Sequence, residues 1–217
     1  MFLRHPIFDN VTNDEFDEMI SCGCVHIANH EKGSMLLHTG DKTNQFGIVL
    51  SGEIYIESID LWGNRMILHR ISSGGVFGET YALSGVPLMV DVTATKDSRI
   101  AYVNLSELLT DKNQQKLWYS KVVKNLLMLS VNKNLLWSER VFCISAKSIR
   151  SRVMNYLSAE SVRQKSTQFD IPFDRQQMAD YLNVERSALS KELGRMQKEG
   201  ILTFKKRTFQ LHCNDSD

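Results

Sequence analysis

The positions of glycine constrain the fold of this chain more than any other feature of its sequence. Nine of its 12 glycines lie between residues 33 and 85, where they separate short apolar runs. Such runs between turn residues are typical of strands in an antiparallel sandwich or barrel. The segments FGIVLSGEIYIES and IESIDLWGNRMILHRI predict strand pairs around Ser51-Gly52 and Gly63-Asn64. We therefore predict a β-domain from about residue 24 to 104, after a short helix over residues 9–22.

A stretch without glycine or proline follows from residue 114 to 142 and predicts one long helix. Its apolar residues fall on two stripes, which together are wider than one packing partner requires. We expect one side to cover the β-domain and the other to meet a second subunit, although a helix buried in its own domain is the alternative. One stripe holds Val123, Leu127, Val131, Leu135 and Phe142. The other, to which we assign the dimer interface, holds Val122, Leu126, Leu129 and Leu136.

Charge and cysteine usage limit the class of protein. Residues 142–217 hold 13 Lys and Arg against 9 Asp and Glu, whereas residues 1–141 hold 13 against 16. The C-terminal third is therefore the predicted polyanion-binding part. No apolar run approaches the ~18 residues of a membrane span, and the start, MFLRHPIFDN, lacks the pattern of a signal peptide. The four cysteines are too scattered for a disulfide scaffold, so the sequence predicts a cytoplasmic protein that binds no membrane.

Residues 174–202 predict two short helices joined by a turn. Asp174 and Gln177 form a capping box for the first helix, and Asn183 tolerates the left-handed backbone of a turn. The second helix is predicted over residues 185–199 and ends at Gly200. Its buried face is formed by Leu189, Leu193 and Met196.

The exposed face of this second helix indicates its ligand. The side opposite the apolar residues holds Arg186, Ser187, Ser190 and Lys191. The first turns of a recognition helix touch base edges in the DNA major groove, where Arg and Lys pair with guanine and Ser with bases or phosphates. The segment ILTFKKRTFQLHC then predicts a hairpin whose cationic tip suits phosphate and consists of Lys205, Lys206 and Arg207. The alternative is an ordinary exposed helix and a solvated loop.

The chain resembles the CRP–FNR superfamily of bacterial transcription regulators over nearly all of its length. The segments that carry the likeness are FGIVLSGEIYI, GGVFGETYALSG and DRQQMADYLNVERSALSKELGRMQKEGIL. The resemblance implies an α+β chain with three parts. These are an effector-sensing antiparallel β-roll, jelly-roll-like and of the cyclic-nucleotide-binding type, over residues 1–111, a dimerisation helix over 112–141 and a winged helix-turn-helix over 142–217. It also implies a homodimer, no enzymatic activity, a near-palindromic site on double-stranded DNA, and RNA polymerase as a further partner.

The resemblance also gives roles to residues of the helix pair. Arg175 matches a phosphate-contacting arginine, and the base-reading positions are occupied by Arg186, Ser187, Ser190 and Lys191. Many members carry glutamate at the position of Ser187 and arginine at the position of Lys191. The target sequence is therefore expected to differ from that of the best-known operators.

A glycine-rich segment matches the effector site of the family. By resemblance, the sugar-phosphate of a cyclic nucleotide would lie at Gly78, Glu79, Thr80 and Tyr81. Where cAMP-binding members carry an Arg-Ser pair, this chain has Leu88 and Met89. A buried phosphate without its cation is costly, so we expect no tight binding of cAMP and an effector of another kind. Leu88 and Met89 suit an apolar or neutral effector, or are plain core.

No cofactor is predicted. Cys22 and Cys24 are the two cysteines near the N-terminus, too few thiolates for an iron–sulfur cluster. We expect them to be small core residues, although a CxC pair can also respond to thiol oxidation. His26 and His30 would be about 13 Å apart on a regular strand, which excludes joint binding of a metal ion or haem iron.

Two other classes of protein are alternatives, a regulatory ligand-binding module that does not bind DNA and a cupin-like metalloenzyme. The polar, cationic face of the second helix argues against the first. The second needs closely spaced histidines, and the chain has no HxH pair. We therefore predict a two-state regulator in which an effector or a redox change moves the long helices of the dimer. This motion would re-space two recognition helices that must lie about 34 Å apart on DNA.

Overall fold

The computed structural model describes residues 5–59 and 65–212 of the chain. The predicted turn at Gly63-Asn64, and Cys213, lie outside these ranges. The chain divides into two compact units, Met1–Leu129 and Ser130–Asp217, and the division falls within the long helix. The predicted fold class is confirmed, since a β-sandwich, a long helix and a helical unit with its own small sheet follow one another along the chain.

The β-domain in unit 1 is a sandwich of two four-stranded sheets. Its strands are β1 (Val25–His30), β2 (Met35–Leu37), β3 (Gln45–Ser51), β4 (Glu53–Ile59), β5 (Arg65–Ser72), β6 (Val76–Phe77), β7 (Asp91–Ala94) and β8 (Ser98–Asn104). One sheet has the order β1-β8-β3-β6 and the other the order β2-β7-β4-β5. Every pairing is antiparallel.

Gly52 turns the chain from one sheet into the other. The strands predicted around Ser51-Gly52 are present as β3 and β4, but they lie in different sheets and do not form the predicted pair. Gly52 has a φ of 89°, and a Cβ atom there would lie 2.2 Å from Oγ of Ser98. The prediction was wrong on the pairing because an alternating pattern shows the two faces of a strand but not the sheet that it joins.

Alternate residues of the first sheet face two different cores. On the inner face, Val49 and Ile100 pack with Phe77 against the second sheet. On the outer face, Phe46 and Ile48 pack beneath helices. The helical elements of this unit are a 3-10 turn at Pro6–Phe8, α1 (Asn13–Ser21), α2 (Glu79–Ser84), α3 (Leu105–Leu108), α4 (Asp111–Gln114) and the first turns of α5 (Tyr119–Ile144).

The long helix α5 begins later than residue 112, where we predicted it. Residues 111–114 form the separate helix α4, and α5 starts at Tyr119 after a break. At this break Trp118 is fully buried, and its indole N–H donates to Oε2 of Glu18 at 2.8 Å. Neither α5 nor any other helix in the described ranges is long and apolar enough to cross a membrane.

The two apolar stripes of α5 face the opposite way to our assignment. Val122 and Leu126 are buried in the outer core of unit 1, and Leu129 packs half-buried against it. Val122 and Leu126 are therefore intrachain core, which contradicts their assignment to the dimer interface, whereas Leu136 is exposed. The other stripe is the exposed one, with 62%, 42%, 57% and 66% exposure at Leu127, Val131, Leu135 and Phe142. The buried Trp118 determines which stripe of α5 faces the core, because Val122 lies one helical turn after it on the same side.

Unit 2 packs helices against a three-stranded sheet. After α5 its elements are α6 (Ile149–Gln164), β9 (Gln168–Asp170), α7 (Arg175–Tyr181), α8 (Arg186–Lys198), β10 (Leu202–Lys205) and β11 (Thr208–Leu211). The sheet order is β10-β11-β9. Helix α6 continues to Gln164, and residues 165–167 lead into β9. Strand β9 is three residues long and pairs with β11, a contact that the local sequence does not reveal.

Candidate nucleic-acid interface

Helix α7 begins with the predicted capping box. The Asp174 carboxylate accepts a hydrogen bond from the Gln177 amide at 2.9 Å, and Oε1 of Gln177 accepts one from the Asp174 amide at 2.9 Å. Met178 and Ala179 on the inner side of the helix are buried. Because these bonds satisfy amide groups that have no helical partner, they fix the residue at which α7 begins.

The turn between α7 and α8 is also built as predicted. Asn183 has a φ of 52°, a conformation that asparagine tolerates better than most residues. Glu185 caps α8 by accepting from the Ala188 amide at 2.9 Å. At the other end of α8, Gly200 has a φ of 73° and its amide donates to the Gln197 carbonyl at 3.1 Å. Local chemistry thus sets both ends of this helix.

Two arginines hold the turn through backbone carbonyls. Arg152 on α6 donates to the carbonyl oxygens of Leu182 and Asn183 at 3.2 and 2.9 Å. Arg140 donates to two carbonyls at the end of α7, each at 3.1 Å. Carbonyls in the last turn of a helix lack helical partners and carry partial negative charge, which suits a guanidinium group. Arg152 belongs to the positive charge of residues 142–217 and Arg140 lies just before them, but both act on the protein's own backbone.

The first turns of α8 expose the face that the sequence predicted. Leu189, Leu193 and Met196 on the opposite side are completely buried. The exposed residues are Arg186, Ser187, Ser190 and Lys191. The packing of α8 therefore uses its apolar side and leaves two cations and two hydroxyl groups open to a ligand.

Ser187 is oriented by the residue that caps the helix. Its hydroxyl donates a short hydrogen bond to the Glu185 carboxylate, which also accepts from the Ala188 amide. These bonds, that of the Ser187 side chain above all, hold the pKa of Glu185 below its ordinary value. Because the hydroxyl proton is given to Glu185, the Ser187 oxygen presents acceptor lone pairs to a ligand.

Arg175, the predicted phosphate contact, packs on the aromatic rings of the hairpin. Its guanidinium carbon lies 4.8 Å from the ring centre of Phe204 and 5.7 Å from that of Phe209. Burial lowers the pKa of Arg175 from its ordinary value. These cation–π contacts fix the guanidinium between α7 and the hairpin. Its contact with phosphate stays a prediction.

The predicted hairpin is present, with an exposed cationic tip at Lys205, Lys206 and Arg207. Strands β10 and β11 pair with Lys205 opposite Thr208. Lys206 lies in the turn and has a φ of 56°, a conformation that costs a residue with a Cβ atom about 1–2 kcal/mol. Glycine is the ordinary choice at such a position. Lys206 thus places a charge at a position where the backbone conformation favours glycine.

The exposed face of α8 extends further than we predicted. Gly194 and Lys198 follow Ser190 at intervals of four residues, which places them on the same side of the helix. A Cβ atom on Gly194 would meet no atom within 4 Å, so the chain itself does not require glycine there. Glycine within a helix costs about 1 kcal/mol relative to alanine, and it is typical of positions that another molecule approaches closely. The helical spacing in the sequence would have been enough to find this continuation.

The predicted effector residues differ widely in exposure. Gly78 precedes α2 with a φ of 80°, Glu79 is buried, Thr80 is exposed and Tyr81 is half-buried. Leu88 is 3% exposed, whereas Met89 is 76% exposed and is not core. The Leu88 amide donates to the Asp41 carbonyl and the Gly40 amide donates to the Leu88 carbonyl, each at 2.8 Å. This pairing directs the Leu88 side chain inward and leaves that of Met89 outside.

A depression of about 320 Å³ lies beside this segment. Its lining residues are Met35, Leu36, Leu37, His38, Asp41, Lys42, Thr43, Asn44, Gln45 and Leu88. Of the six residues that we predicted for an effector, Leu88 is the one in this lining. Strand β2 and the loop after it form most of its wall and carry no motif in the sequence. The role of the predicted effector residues stays a prediction.

His26 and His30 both contact Tyr102. The His26 ring stacks on Tyr102 with 5.1 Å between centroids, and Nε2 of His30 lies 3.0 Å from the Tyr102 hydroxyl. Burial raises the pKa of Tyr102 to about 12. Within the part of the chain that the structure describes, no three His, Cys, Asp or Glu side chains are grouped as a metal site would require.

A pair of helices with a cationic tip, a cationic hairpin behind it and a β-sandwich unit define a winged helix-turn-helix protein with an effector-type domain. Residues 28–110 match the cyclic nucleotide-binding domain family, and residues 151–215 match the Crp-like helix-turn-helix domain family. The chain therefore belongs to the CRP–FNR family of DNA-binding transcription regulators, which is not a family of enzymes. This confirms the resemblance and removes both alternative classes.

Solved structures of other regulators share this fold. CprK complexed with OCPA matches with a TM-score of 0.62 and 16% identity, covering 91% of this chain and 92% of that one. The c-di-GMP-responsive global regulator CLP of Xanthomonas campestris matches with a TM-score of 0.55 and 15% identity, and the match covers 91% of this chain and 100% of that one. The N-terminal domain of a transcriptional regulator from Streptomyces coelicolor A3(2) matches with a TM-score of 0.50 and 16% identity, covering 60% and 92%. No curated protein matches the sequence.

Proposed function

We propose that this regulator binds a near-palindromic DNA site as a homodimer, with α8 of each subunit in the major groove. The observation that carries the proposal is the exposure of Arg186 and Lys191 in the first turns of α8, opposite a completely buried apolar side. Residues in the first turns of a recognition helix contact base edges. Because the dimer is symmetric, its two half-sites lie about one DNA turn (~34 Å) apart.

The exposed side chains of α8 have distinct chemical preferences. Arg186 and Lys191 pair with the O6 and N7 acceptors of guanine. Ser187 gives its proton to Glu185, so its oxygen accepts from an amino group and favours cytosine N4 or adenine N6. Ser190 bonds to a base or a phosphate, while phosphates are also contacted by Arg175, Lys205, Lys206 and Arg207. A serine that acts as an acceptor admits adenine as well as cytosine, the base that the glutamate of many relatives reads, so the target sequence is expected to differ.

The dimer contact that we propose is the exposed stripe of α5, at Leu127, Val131, Leu135 and Phe142. Their exposed fractions are between 42% and 66%, and single exposed apolar residues of this size are ordinary whereas a continuous stripe marks an interaction surface. Fully burying a Leu, Val or Phe side chain contributes about 1.5–3 kcal/mol, and each of these side chains, already partly buried in its own chain, contributes less. The stripe therefore replaces the one that we first assigned to the interface.

Unit 1 is the proposed sensor, with an effector other than cAMP. The segment from residue 85 to 95 contains no lysine or arginine, and a buried phosphate needs such a cation. Isothermal titration that gave micromolar or tighter affinity for cAMP would contradict this. Since the ligand of unit 2 is DNA, we place the regulator in the cytoplasm with RNA polymerase as a further partner.

Selection of DNA from a random pool tests the proposal. The purified chain would be incubated with random duplexes, with and without an extract of small molecules from cells, and the retained duplexes sequenced. We expect a near-palindrome with two half-sites, and a higher yield with the extract if a small molecule is the signal. Retained sequences without any shared pattern in either condition would contradict sequence-specific recognition.

A further inference from the structure

The two N-terminal cysteines lie with their sulfur atoms in contact. Sγ of Cys22 is 3.0 Å from Sγ of Cys24, and a disulfide bond is about 2.05 Å long, so an approach of about 1 Å closes the bond. Cys22 is partly exposed, whereas Cys24 is fully buried. We propose that Cys22 and Cys24 are a redox-active pair, oxidised to an intrachain disulfide by low-molecular-weight disulfides such as oxidised glutathione.

The backbone between the cysteines is what brings them together. Cys22 follows the last residue of α1, and Gly23 has a φ of 76°. The amides of Gly23 and Cys24 donate to the carbonyls of Ile20 and Met19, both at 3.0 Å, which is the Schellman closure of a helix. On a regular strand, side chains two residues apart would be about 6.6 Å apart at their Cβ atoms. The turn, and not the CxC spacing itself, therefore creates the contact.

The different burial of the two thiols assigns the order of the reaction. The Cys22 thiolate attacks the small disulfide, which releases one small thiolate and leaves a mixed disulfide on Cys22. Cys24 then attacks the Cys22 sulfur, the second small thiol leaves, and the proton of Cys24 passes to it. Two protein thiols are oxidised to one disulfide while one small disulfide is reduced to two thiols. Burial raises the pKa of Cys24 to about 12, which makes it the weaker attacker on a disulfide in solution, so Cys22 reacts first.

The buried thiol is connected to the segment that leads into α5. Sγ of Cys24 accepts from Nδ2 of Asn113 at 3.3 Å, and the same amide group donates to the Glu107 carbonyl at 2.8 Å. The Asn113 carbonyl accepts from the Lys116 amide at 3.0 Å, two residues before the buried Trp118. Closure of the disulfide moves the sulfur acceptor of Asn113. We therefore expect oxidation to alter the surroundings of Trp118.

A second contact joins the pair to the same tryptophan. Helix α1, which ends beside Cys22, carries Glu18. The Glu18 carboxylate accepts from the Trp118 indole at 2.8 Å and from Nζ of Lys116 at 2.6 Å. Both sides of the cysteine pair are thus linked to Trp118, so the fluorescence of this residue reports on the pair.

Redox titration of the full chain tests the proposal without DNA. A variant with Trp118 as its sole tryptophan would be equilibrated in mixtures of reduced and oxidised glutathione, quenched with acid, alkylated and mapped by mass spectrometry. We expect alkylation of Cys22 and Cys24 to be lost together and to return when excess thiol is added. The emission of Trp118 should change with the same midpoint.

Matched variants separate the pair from the third described cysteine. Cys143→Ser should titrate like the parent, whereas Cys22→Ser and Cys22→Ala should lose both the disulfide and the change in emission. Full alkylation of both residues in every mixture, a stable mixed disulfide on Cys22, or a disulfide between two chains would each overturn the pair. A disulfide that forms without any change in emission would overturn its connection to α5.

Discussion

The two units of this chain differ in the exposure of their predicted functional residues. In unit 2, Arg186 and Lys191 are exposed on a helix whose other side is buried, and internal packing gives no reason for them. In unit 1, the predicted effector residues are divided between core and surface, with Leu88 buried and Met89 exposed. A surface that reads DNA must be exposed before its large ligand arrives. A sensor encloses a small ligand with side chains of the kinds that also form a core, so pattern alone does not separate the two.

The largest effect is expected on the exposed stripe of α5. Leu135→Arg should weaken the dimer by at least about 100-fold, because the apolar contact is lost twice in a symmetric pair and a charge is buried. Leu136→Arg is the matched control, since Leu136 is 60% exposed but lies on the other stripe. Sedimentation equilibrium at several concentrations measures both. Loss of the dimer in the Leu136 variant alone would contradict the placement of the interface on the stripe of Leu127, Val131, Leu135 and Phe142.

Within unit 2, substitution of a base-contacting residue and of a phosphate-contacting residue should affect DNA binding differently. Lys191→Ala should cost about 1–3 kcal/mol on the selected site and little on a scrambled duplex, because the lysine pairs with a base. Lys206→Gly should weaken binding to both duplexes alike and lower the salt slope by roughly 0.9 per subunit. Fluorescence anisotropy over a range of salt concentrations measures both. Equal losses on both duplexes from the two variants would contradict the division of roles.

The Lys206 variant also separates charge from folding. Glycine accepts the left-handed conformation of residue 206 without strain, so its free energy of unfolding should equal or exceed that of the parent chain. A less stable variant would show that Lys206 acts on the fold of the hairpin and not on DNA.

The sequence predicted those features that are set by residues close together in the chain, and missed those that depend on distant contacts. The bounds of α7 and α8 were predictable because Asp174, Asn183 and Gly200 each act within one turn of the backbone. The exposed stripe of α5 was not, because both stripes are apolar and the choice depends on Trp118, whose partners come from α1. The contact between Cys22 and Cys24 was hidden for a related reason, since the left-handed Gly23 that creates it is not implied by the spacing.

A smaller effect is expected on the stability of α8. Gly194→Ala should raise the free energy of unfolding by up to about 1 kcal/mol, because alanine restricts the unfolded chain and the site has room for a Cβ atom. If DNA approaches closely at this position, the same variant should bind the selected duplex more weakly. Chemical denaturation and anisotropy give the two results. A variant that is more stable and binds equally well would show that the groove does not reach Gly194.

The smallest effect concerns the pH dependence of unit 1. Nδ1 of His5 accepts from the Ile7 amide at 3.2 Å, and Nε2 lies 3.2 Å from the Gly74 carbonyl, an arrangement that fits the neutral ring. Desolvation on burial lowers the pKa of His5, and the bond to Gly74 opposes it only in part. The unfolded chain therefore holds more protons below about pH 6.5, and stability should fall as the pH is lowered from about 7.5 to 5.5.

The variant His5→Gln isolates this contribution. Its free energy of unfolding should decline less steeply over the same pH range. Burial also lowers the pKa of His30, so His30 should account for part of the remaining decline. Parallel declines in the parent and the variant would mean that His5 contributes nothing to the pH dependence.

Recognition of DNA by α8 is tested most directly by methylation interference on the selected duplex. A methyl group on guanine N7 lies in the major groove, and one on adenine N3 lies in the minor groove. We predict that N7 methylation prevents binding at two clusters of guanines about one turn apart, and that Lys191→Ala abolishes the interference at one guanine of each half-site. Binding that tolerates N7 methylation throughout, or that fails only with adenine N3 methylation, would contradict the placement of α8 in the major groove.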